Sequence, residues 1–315
     1  MWRTTGWDWR RVTRLGSRVR KLLAVFASIT LPVLCSPVLG MAGPAGSALW
    51  FDGADDEIVI PHNESISFSA PPEALTVEMW FKRGGSRIGD YHLLGKRNGC
   101  GVINYALAVH ANMLVFVTTV DGSWRLFFAP LTTPDTVWTH VAGTADGTEI
   151  RLYINGALQT VDPGMISGEI LDPLKIGQHG TCGDPYRHIG WVDEVRVWNV
   201  ARTATEIHDQ YDRTIDPATP GLVGYWTFDE DSTDQHVYDS SPFSNHGTLG
   251  GSAEPGPDDP SRVPSTAPID CFVPPCPYAA ADVNCDGVIN VYDILEAINV
   301  TFSGKPVPPP CCRFR

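Results

Sequence analysis

Positive charge is scarce in this sequence of 315 residues once its first 42 positions are set aside. Seven of the 23 Lys and Arg residues (Arg3, Arg10, Arg11, Arg14, Arg18, Arg20 and Lys21) fall in that stretch with a single acid, Asp8, so the remainder carries a formal charge near −19. Such a field repels nucleic acid and anionic membranes, which excludes both as partners, and attracts divalent cations. Zinc-ribbon spacing is missing as well: among eight cysteines, Cys271 and Cys276 are five apart and Cys311 and Cys312 are adjacent. Seven of the eight lie beyond residue 42, which suits disulfides in an oxidising compartment better than a metal site or the cytosol, and the odd count leaves one thiol unassigned. No Ser/His/Asp or Cys/His arrangement and no phosphate loop stands out, so nucleophilic hydrolysis and nucleotide chemistry have no visible carrier. Long helical patterns are few, and ten Trp with many short strand-like segments stand in their place.

What is present begins with a basic stretch up to Lys21 followed by an apolar run of 19 residues, Leu22 to Gly40. These are the two regions of a secretory signal, and Gly40-Met41-Ala42 puts small residues where cleavage needs them, so 1–42 reads as a signal peptide cut after Ala42. The alternative is a retained anchor, since the run is just long enough to span a bilayer, although Pro32 and Pro37 weaken that helix. Hydrophobic residues make up 43% of the chain and charged residues 19%, enough to build a core. The length suits one large all-β domain with a small appendage.

From 48 to 249 the chain reads as short strands. Thr76 to Lys82 alternates with period two, placing Val77, Met79 and Phe81 on one face and Thr76, Glu78, Trp80 and Lys82 on the other, as in a half-buried strand. Between Trp138 and Val161, Asp146-Gly147 and Asn155-Gly156 supply the positive φ of tight hairpins and predict a three-stranded meander with Ile150, Leu152 and Ile154 inward. Thr203-Ala204-Thr205-Glu206 forms a capping box that starts one short helix through Ile207 and Tyr211. Pro and Gly dominate 250–268, which reads as an extended linker to a Cys-rich tail, 269–315.

Leu49-Trp50-Phe51-Asp52-Gly53, Leu75 to Phe81, Trp138 to Ala142, Leu152 to Gly156, Val192 to Asn199 and Gly221 to Glu230 occur in the order of the laminin-G-like family, within the concanavalin A-like lectin and glucanase superfamily. The segment resembles that family over about 200 residues, and the resemblance implies an all-β fold, a two-sheet antiparallel jelly-roll sandwich. It does not fix function, because the superfamily holds lectins, adhesion modules and glycosidases. Its glucanases carry Glu-x-Asp-x-x-Glu on one strand. The nearest acidic strand here, Trp191 to Arg196, lacks that pattern, and adjacent Asp193 and Glu194 are expected on opposite faces, which argues against an acid pair for glycoside chemistry.

The tail carries a sharper motif. Asp282, Asn284, Asp286, Asn290 and Asp293 place side-chain oxygens at positions 1, 3, 5, 9 and 12 of a calcium loop, Val288 adds its carbonyl at position 7, and Gly287 makes the turn. With Asp at position 12 and Ile294, Leu295 and Ile298 following, this small calcium loop-helix resembles a type I dockerin repeat, which would imply a cohesin-like partner. Only one repeat is present, and Val291-Tyr292 stands where cohesin-binding repeats often carry small hydroxyl residues, so docking is doubtful. Asp52, Asp55 and Asp56 offer a possible second metal site, the alternative being turn formers and solvated charges.

Two functional readings follow: a secreted, non-catalytic module that binds a glycan, and a cell-envelope adhesion or structural protein that binds an extracellular protein. A glycoside-active enzyme is third. Sugar stacking asks for an open aromatic face beside polar groups, for which Trp124, Tyr186, Trp191 and His188 are candidates. Asp184, Tyr186, Arg187 and His188 offer an acceptor, a ring and donors within one segment and are the expected ligand-binding residues, the alternative being a solvated loop. Cys100 and Cys182, both in Gly-rich stretches, are the two cysteines of the sandwich and are expected to pair at that loop end, with separate thiols as the alternative.

Two outcomes are expected from the sequence alone. Calorimetry on the isolated, oxidised tail 269–315 should show calcium binding at 282–293 with a dissociation constant of about 10⁻⁷ to 10⁻³ M, lost in Asp286→Ala; no heat at millimolar calcium contradicts it. A non-reduced peptide map should recover Cys100 linked to Cys182, and two free thiols there would overturn the pairing.

Overall fold

The computed structural model describes residues 46–68, 74–84, 91–99, 101–166, 168, 170–178 and 187–270. The segment 1–42 read as a signal, Cys100, Cys182, Asp184, Tyr186 and the loop 282–293 read as a calcium site lie outside the described residues. In chain order the strands are β1 (Ser47–Asp52), β2 (Ile58–Ile60), β3 (Leu75–Arg83), β4 (Tyr91–Arg97), β5 (Ile103–His110), β6 (Met113–Val120), β7 (Ser123–Pro130) and β8 (Thr139–Ala145). They continue with β9 (Glu149–Ile154), β10 (Ala157–Pro163), β11 (Leu174–Ile176), β12 (Ile189–Trp198), the helix α1 (Ala204–Gln210), β13 (Leu222–Trp226), β14 (His236–Val237), β15 (Gly247–Leu249) and β16 (Ser261–Pro264).

Two antiparallel sheets face each other, as the all-β jelly-roll expectation requires. One runs β10-β9-β8-β3-β12-β1-β16 and the other β14-β15-β2-β11-β4-β5-β6-β7. Strand β12 is long enough to serve two neighbours on one side, β1 along Ile189–Val192 and β13 along Val195–Trp198. The core between the sheets takes Val77, Met79 and Phe81 from β3, Ile150, Leu152 and Ile154 from β9, and Leu107, Phe116 and Leu174 from the facing sheet. The meander β8-β9-β10 forms as expected, with Asn155 at φ 48° and Gly156 at φ 73° closing its second hairpin.

The sequence reading treated β3 as half-buried, and the structure buries both of its faces. The outward residues Glu78 and Trp80 lie beneath α1 and the segment that follows β16. Helix α1 starts at the Thr203 capping box, where the Glu206 amide donates to Thr203 and the Glu206 carboxylate accepts from the Thr203 amide. Tyr211 stacks on Trp80 at 6.0 Å, and Trp80 Nε1 donates to the Tyr211 carbonyl at 2.8 Å. Beneath them Glu78 Oε1 accepts from Trp198 Nε1 and from Arg202 Nη1, both at 2.9 Å, with Arg196 Nη1 3.7 Å away. Burial alone would push this carboxyl up. Arg202, His140 and Arg196 outweigh that and hold it well below the usual carboxylate range. Arg202 reaches on to the Glu206 carbonyl at 3.1 Å and to the Gln210 side chain, and Arg196 donates to the Gln210 and Arg213 carbonyls at 3.3 and 2.6 Å. The two guanidiniums thus hold a helix of only seven residues, and Arg196 satisfies the carbonyl of its last residue, Gln210.

The stretch read as linker is corrected in part. Ser261–Pro264 pairs with β1 as an edge strand, a position that tolerates proline because one side of it makes no ladder bonds. Beyond it Ser265 Oγ donates to Asp193 Oδ2 at 2.6 Å, Trp138 Nε1 donates to Thr266 Oγ1 at 2.9 Å, and Ala267 and Ile269 pack with Trp80 and Trp138. Composition could not show this, because the anchoring residues are few and spaced among prolines.

Removing Glu78 leaves the buried Arg202 guanidinium without its counter-charge and takes one of two carboxylates from Arg196, which keeps Glu194. Glu78→Ala should therefore lower stability by about 3–5 kcal/mol in urea unfolding, and a loss under about 1 kcal/mol would contradict the role given to this carboxylate.

Candidate functional site

Strand β1 ends at Asp52 and the chain turns at once through Gly53. Its φ of +79° and the approach of Ile189, whose Cγ1 would lie 2.0 Å from an added Cβ, exclude larger residues there. The turn folds the next residues back: the Asp52 amide donates to Asp56 Oδ2 at 2.6 Å and the Ala54 amide to Asp52 Oδ1 at 2.6 Å. Asp52, Asp55 and Asp56 consequently present carboxylate oxygens within 4.8 Å of one another, the first two exposed and Asp56 buried. Arg187 Nη1 donates to the Ala54 carbonyl and clamps the loop from the side. Next along the chain, Glu57 Oε2 accepts from Lys175 Nζ at 2.6 Å and from Gln178 Nε2, while its amide donates to the Asp258 carbonyl at 3.2 Å.

Three carboxylates so close are unfavourable without a counter-charge. Burial chiefly, with the charges of Asp52, Asp55 and Asp259 behind it, pushes Asp56 from 3.8 up to about 6, and the Asp52 amide opposes this only in part. Hard carboxylate oxygens that converge in this way suit calcium, and Asp52, Asp55 and Asp56 are the residues that would hold it. Asp259 was not anticipated from the sequence. Its signal was the Asp258-Asp259 pair inside the presumed linker, which β16 brings back beside the loop.

The structure thus joins two sets of residues predicted separately, the acidic loop and Arg187, although Arg187 serves the loop's backbone. His188 is a correction. It is 1% exposed, packed against Phe51, Phe81 and Tyr91 at 5.8, 6.2 and 5.6 Å, and burial lowers its pKa to about 4, so it is a neutral core residue out of reach of an external ligand. Trp191 is half-buried between Trp50, 4.4 Å away, and the Lys82 ammonium at 3.9 Å. Trp124 is 47% exposed, with Arg97 5.1 Å from its ring and its Nε1 bonded to the Gly101 carbonyl at 2.9 Å.

Asp193 and Glu194 also depart from expectation. A bulge in β12 between Asp193 and Arg196, with Glu194 at φ 50°, turns both carboxylates to the outer face, while Val192 and Val195 keep to the core. Both are sealed there. Asp193 accepts from the Glu194 amide and Ser265 Oγ, and Glu194 Oε2 from Arg196 Nη2 and the Tyr225 hydroxyl. Burial, then the Glu194 charge, drives Asp193 well above the ordinary range. Among the described residues, no helix is long and apolar enough to cross a membrane.

With this geometry in hand, comparison with known proteins is informative. A laminin-G-type family model, described as the concanavalin A-like lectin/glucanases superfamily, matches residues 52–208 and supports a jelly-roll domain of that kind. Pappalysin-1 of Homo sapiens is 24% identical over an alignment of 187 residues that covers 52% of this chain, and pappalysin-1 of Mus musculus is 24% identical over an alignment of 205 residues that covers 57%. The match spans 11% and 12% of those two proteins. A solved structure from Bacteroides ovatus ATCC 8483, described as a candidate carbohydrate binding protein, superposes with a TM-score of 0.56 at 20% identity, covering 71% of this chain and 61% of that one. At that identity the likeness concerns the fold.

Because the folded-state pKa of Asp56 lies above its ordinary value, the folded protein holds a proton that the unfolded chain releases between about pH 6 and pH 4. In calcium-free buffer this group therefore works against folding at pH 7 and ceases to do so as the pH falls through that window. Asp56→Asn should be more stable than the parent at pH 7 by on the order of 1–2 kcal/mol, with the gap closing by pH 4. Paired urea titrations in chelator at the two pH values check this, and a gap that is absent at pH 7 or grows on acidification would contradict it.

Proposed function

We propose that this chain is a secreted, non-catalytic binding module for carbohydrate, with calcium held by Asp52, Asp55 and Asp56 and a second calcium ion by the loop 282–293. The observation that carries the reading is the contrast between the two kinds of carboxylate. Those on the sheet face that would suit glycoside chemistry, Glu78, Asp193 and Glu194, are buried and engaged by Arg202, Ser265, Arg196 and Tyr225. Acid catalysis on a sugar needs two carboxyl groups open to the same bond. At the end of β1, Asp52 and Asp55 are open, and with the buried Asp56 they converge as cation ligands do. The likeness to the Bacteroides ovatus structure, described as a candidate carbohydrate binding protein, supports the choice of ligand class. In this reading calcium stiffens the 52–57 loop that Arg187 clamps, and ligand contact draws on that rigidity.

A second reading has its own observation. On the edge strand β7, Trp124, Leu126 and Phe128 point outward in a row and are all exposed, an apolar stripe that would suit another protein in a cell-envelope assembly.

The full chain beyond residue 42, applied to immobilised glycans with calcium and again with chelator, separates the two. Saturable binding that weakens in chelator, with the eluted glycan unchanged in length, is the expected result. Cleavage of the glycan would make the protein an enzyme, and no binding to any glycan would favour the adhesion reading.

A further inference from the structure

The loop between β14 and β15, residues 238–246, lies beyond the segment that the family model matches and away in sequence from the acidic loop. It presents an open ring between two imidazoles. Tyr238 is 45% exposed; His236 stacks against it with ring centroids 5.8 Å apart and planes 20° from parallel, and His246 meets it edge-on at 5.4 Å and 74°. Phe243, in the same loop, is 45% exposed.

The backbone beneath these rings is fixed by two buried polar residues. Asp239 Oδ1 accepts from the amides of Tyr225 and Ser241, and Oδ2 from Ser241 Oγ and the Asn245 amide, at 2.7 to 2.8 Å. Asn245 Nδ2 donates to the Val223 carbonyl at 2.7 Å and to Ser65 Oγ at 2.9 Å, and the Asn245 carbonyl accepts from Trp226 Nε1 at 2.9 Å. The Tyr238 amide donates to Glu230 Oε1 at 2.8 Å, and Glu230 is in turn paired with Arg262 at 3.0 Å. The open rings therefore stand on a preorganised base, which reduces the entropy lost on binding.

The hydrogen bonds also settle what each imidazole offers. The Asp239 amide donates to His246 Nδ1 at 3.0 Å, so that nitrogen bears no proton and the neutral ring carries its proton on Nε2 as an outward donor. His236 Nδ1 lies 3.1 Å from the Asp234 carboxylate, which only accepts, so the neutral ring keeps its proton on Nδ1 and leaves Nε2 as an acceptor. A flat phenol ring is thus flanked by one donor and one acceptor. The C–H face of a pyranose stacks on such a ring while its hydroxyls, each both donor and acceptor, meet the imidazoles. Asp234 and Glu230 beside the loop disfavour a sugar that carries a carboxylate or sulfate. A transition metal between the imidazoles is disfavoured as well, since binding at His246 Nε2 would move the proton to Nδ1, where the Asp239 amide already points.

We propose that Tyr238, His236 and His246 form a subsite for an uncharged pyranose ring. The proposal rests on the binding-module reading above and gives that reading a second, distinct location. Its test uses the full chain beyond residue 42 against an array of neutral mono- and oligosaccharides, then titrations of the best sugar into the parent, Tyr238→Ala, Tyr238→Phe and His246→Gln, each with its melting temperature. The parent should bind, Tyr238→Ala should weaken binding by between about threefold and tenfold, and Tyr238→Phe, which keeps the ring, should stay within about twofold. Binding unchanged in both Tyr238→Ala and His246→Gln overturns the subsite and leaves the module reading standing, whereas a parent that binds no sugar overturns both. Should Tyr238→Ala fail to fold, His246→Gln decides alone, with weakened binding expected. Stabilisation of the parent by micromolar zinc, lost in His236→Ala, would make this a metal site and overturn the proposal.

Discussion

A carboxylate removed from water must be neutralised by its neighbours, and Glu78 stands in that position on the outer face of a sheet that a simple sandwich would leave wet. Its partners come from two places in the chain: Trp198 and Arg196 on β12, and Arg202 just before α1. The same two arginines reach the Glu206 and Gln210 carbonyls of α1, and Tyr211 just after the helix packs on Trp80 and His140. Exchange of one buried ion for a hydrophobic residue is often harmless in proteins when all partners change together, but here the partners belong to different elements, so the charge network also sets where the helix lies.

Once that face is closed, the places left for a ligand are the ends and edges. The bulge in β12 adds to the closure by turning Glu194 outward beside Asp193, where Ser265 after β16 holds Asp193 while Arg196 and Tyr225 hold Glu194. Openings remain where short loops are tied down by their own polar residues: Asp52 and Asp56 in the first, Asp239 and Asn245 in the second. Both loops use hydrogen bonds of their own, buried ones in the second, to hold a few exposed side chains still, as a rigid recognition surface requires.

Much of this was legible in the sequence and some was not, for identifiable reasons. The alternation of Val77, Met79 and Phe81, the Asn155-Gly156 turn and the Thr203 capping box are local signals, and each produced its element. The second buried face was hidden because Glu78 looks like a solvent-side residue until its partners Trp198 and Arg202, more than a hundred positions away, are known. The bulge had a signal that went unused: the spacing Val192, Val195, Val197 breaks the period of two at one point. The 261–264 strand was masked by proline content, and the burial of His188 depends on contacts with Phe51, Phe81 and Tyr91 that no spacing reveals. The convergence of Asp52, Asp55 and Asp56 was visible as a possibility, whereas the nearness of Asp259 needed the fold.

The central claim is that ligand engages preorganised loops at the rim and leaves the sealed carboxylates of β12 untouched. Hydrogen–deuterium exchange on the full chain beyond residue 42, with and without a saturating neutral oligosaccharide, tests it most directly. The account predicts added protection in 52–57 and 236–246 with exchange in 191–198 and 204–210 unchanged; protection confined to 191–198 would contradict it.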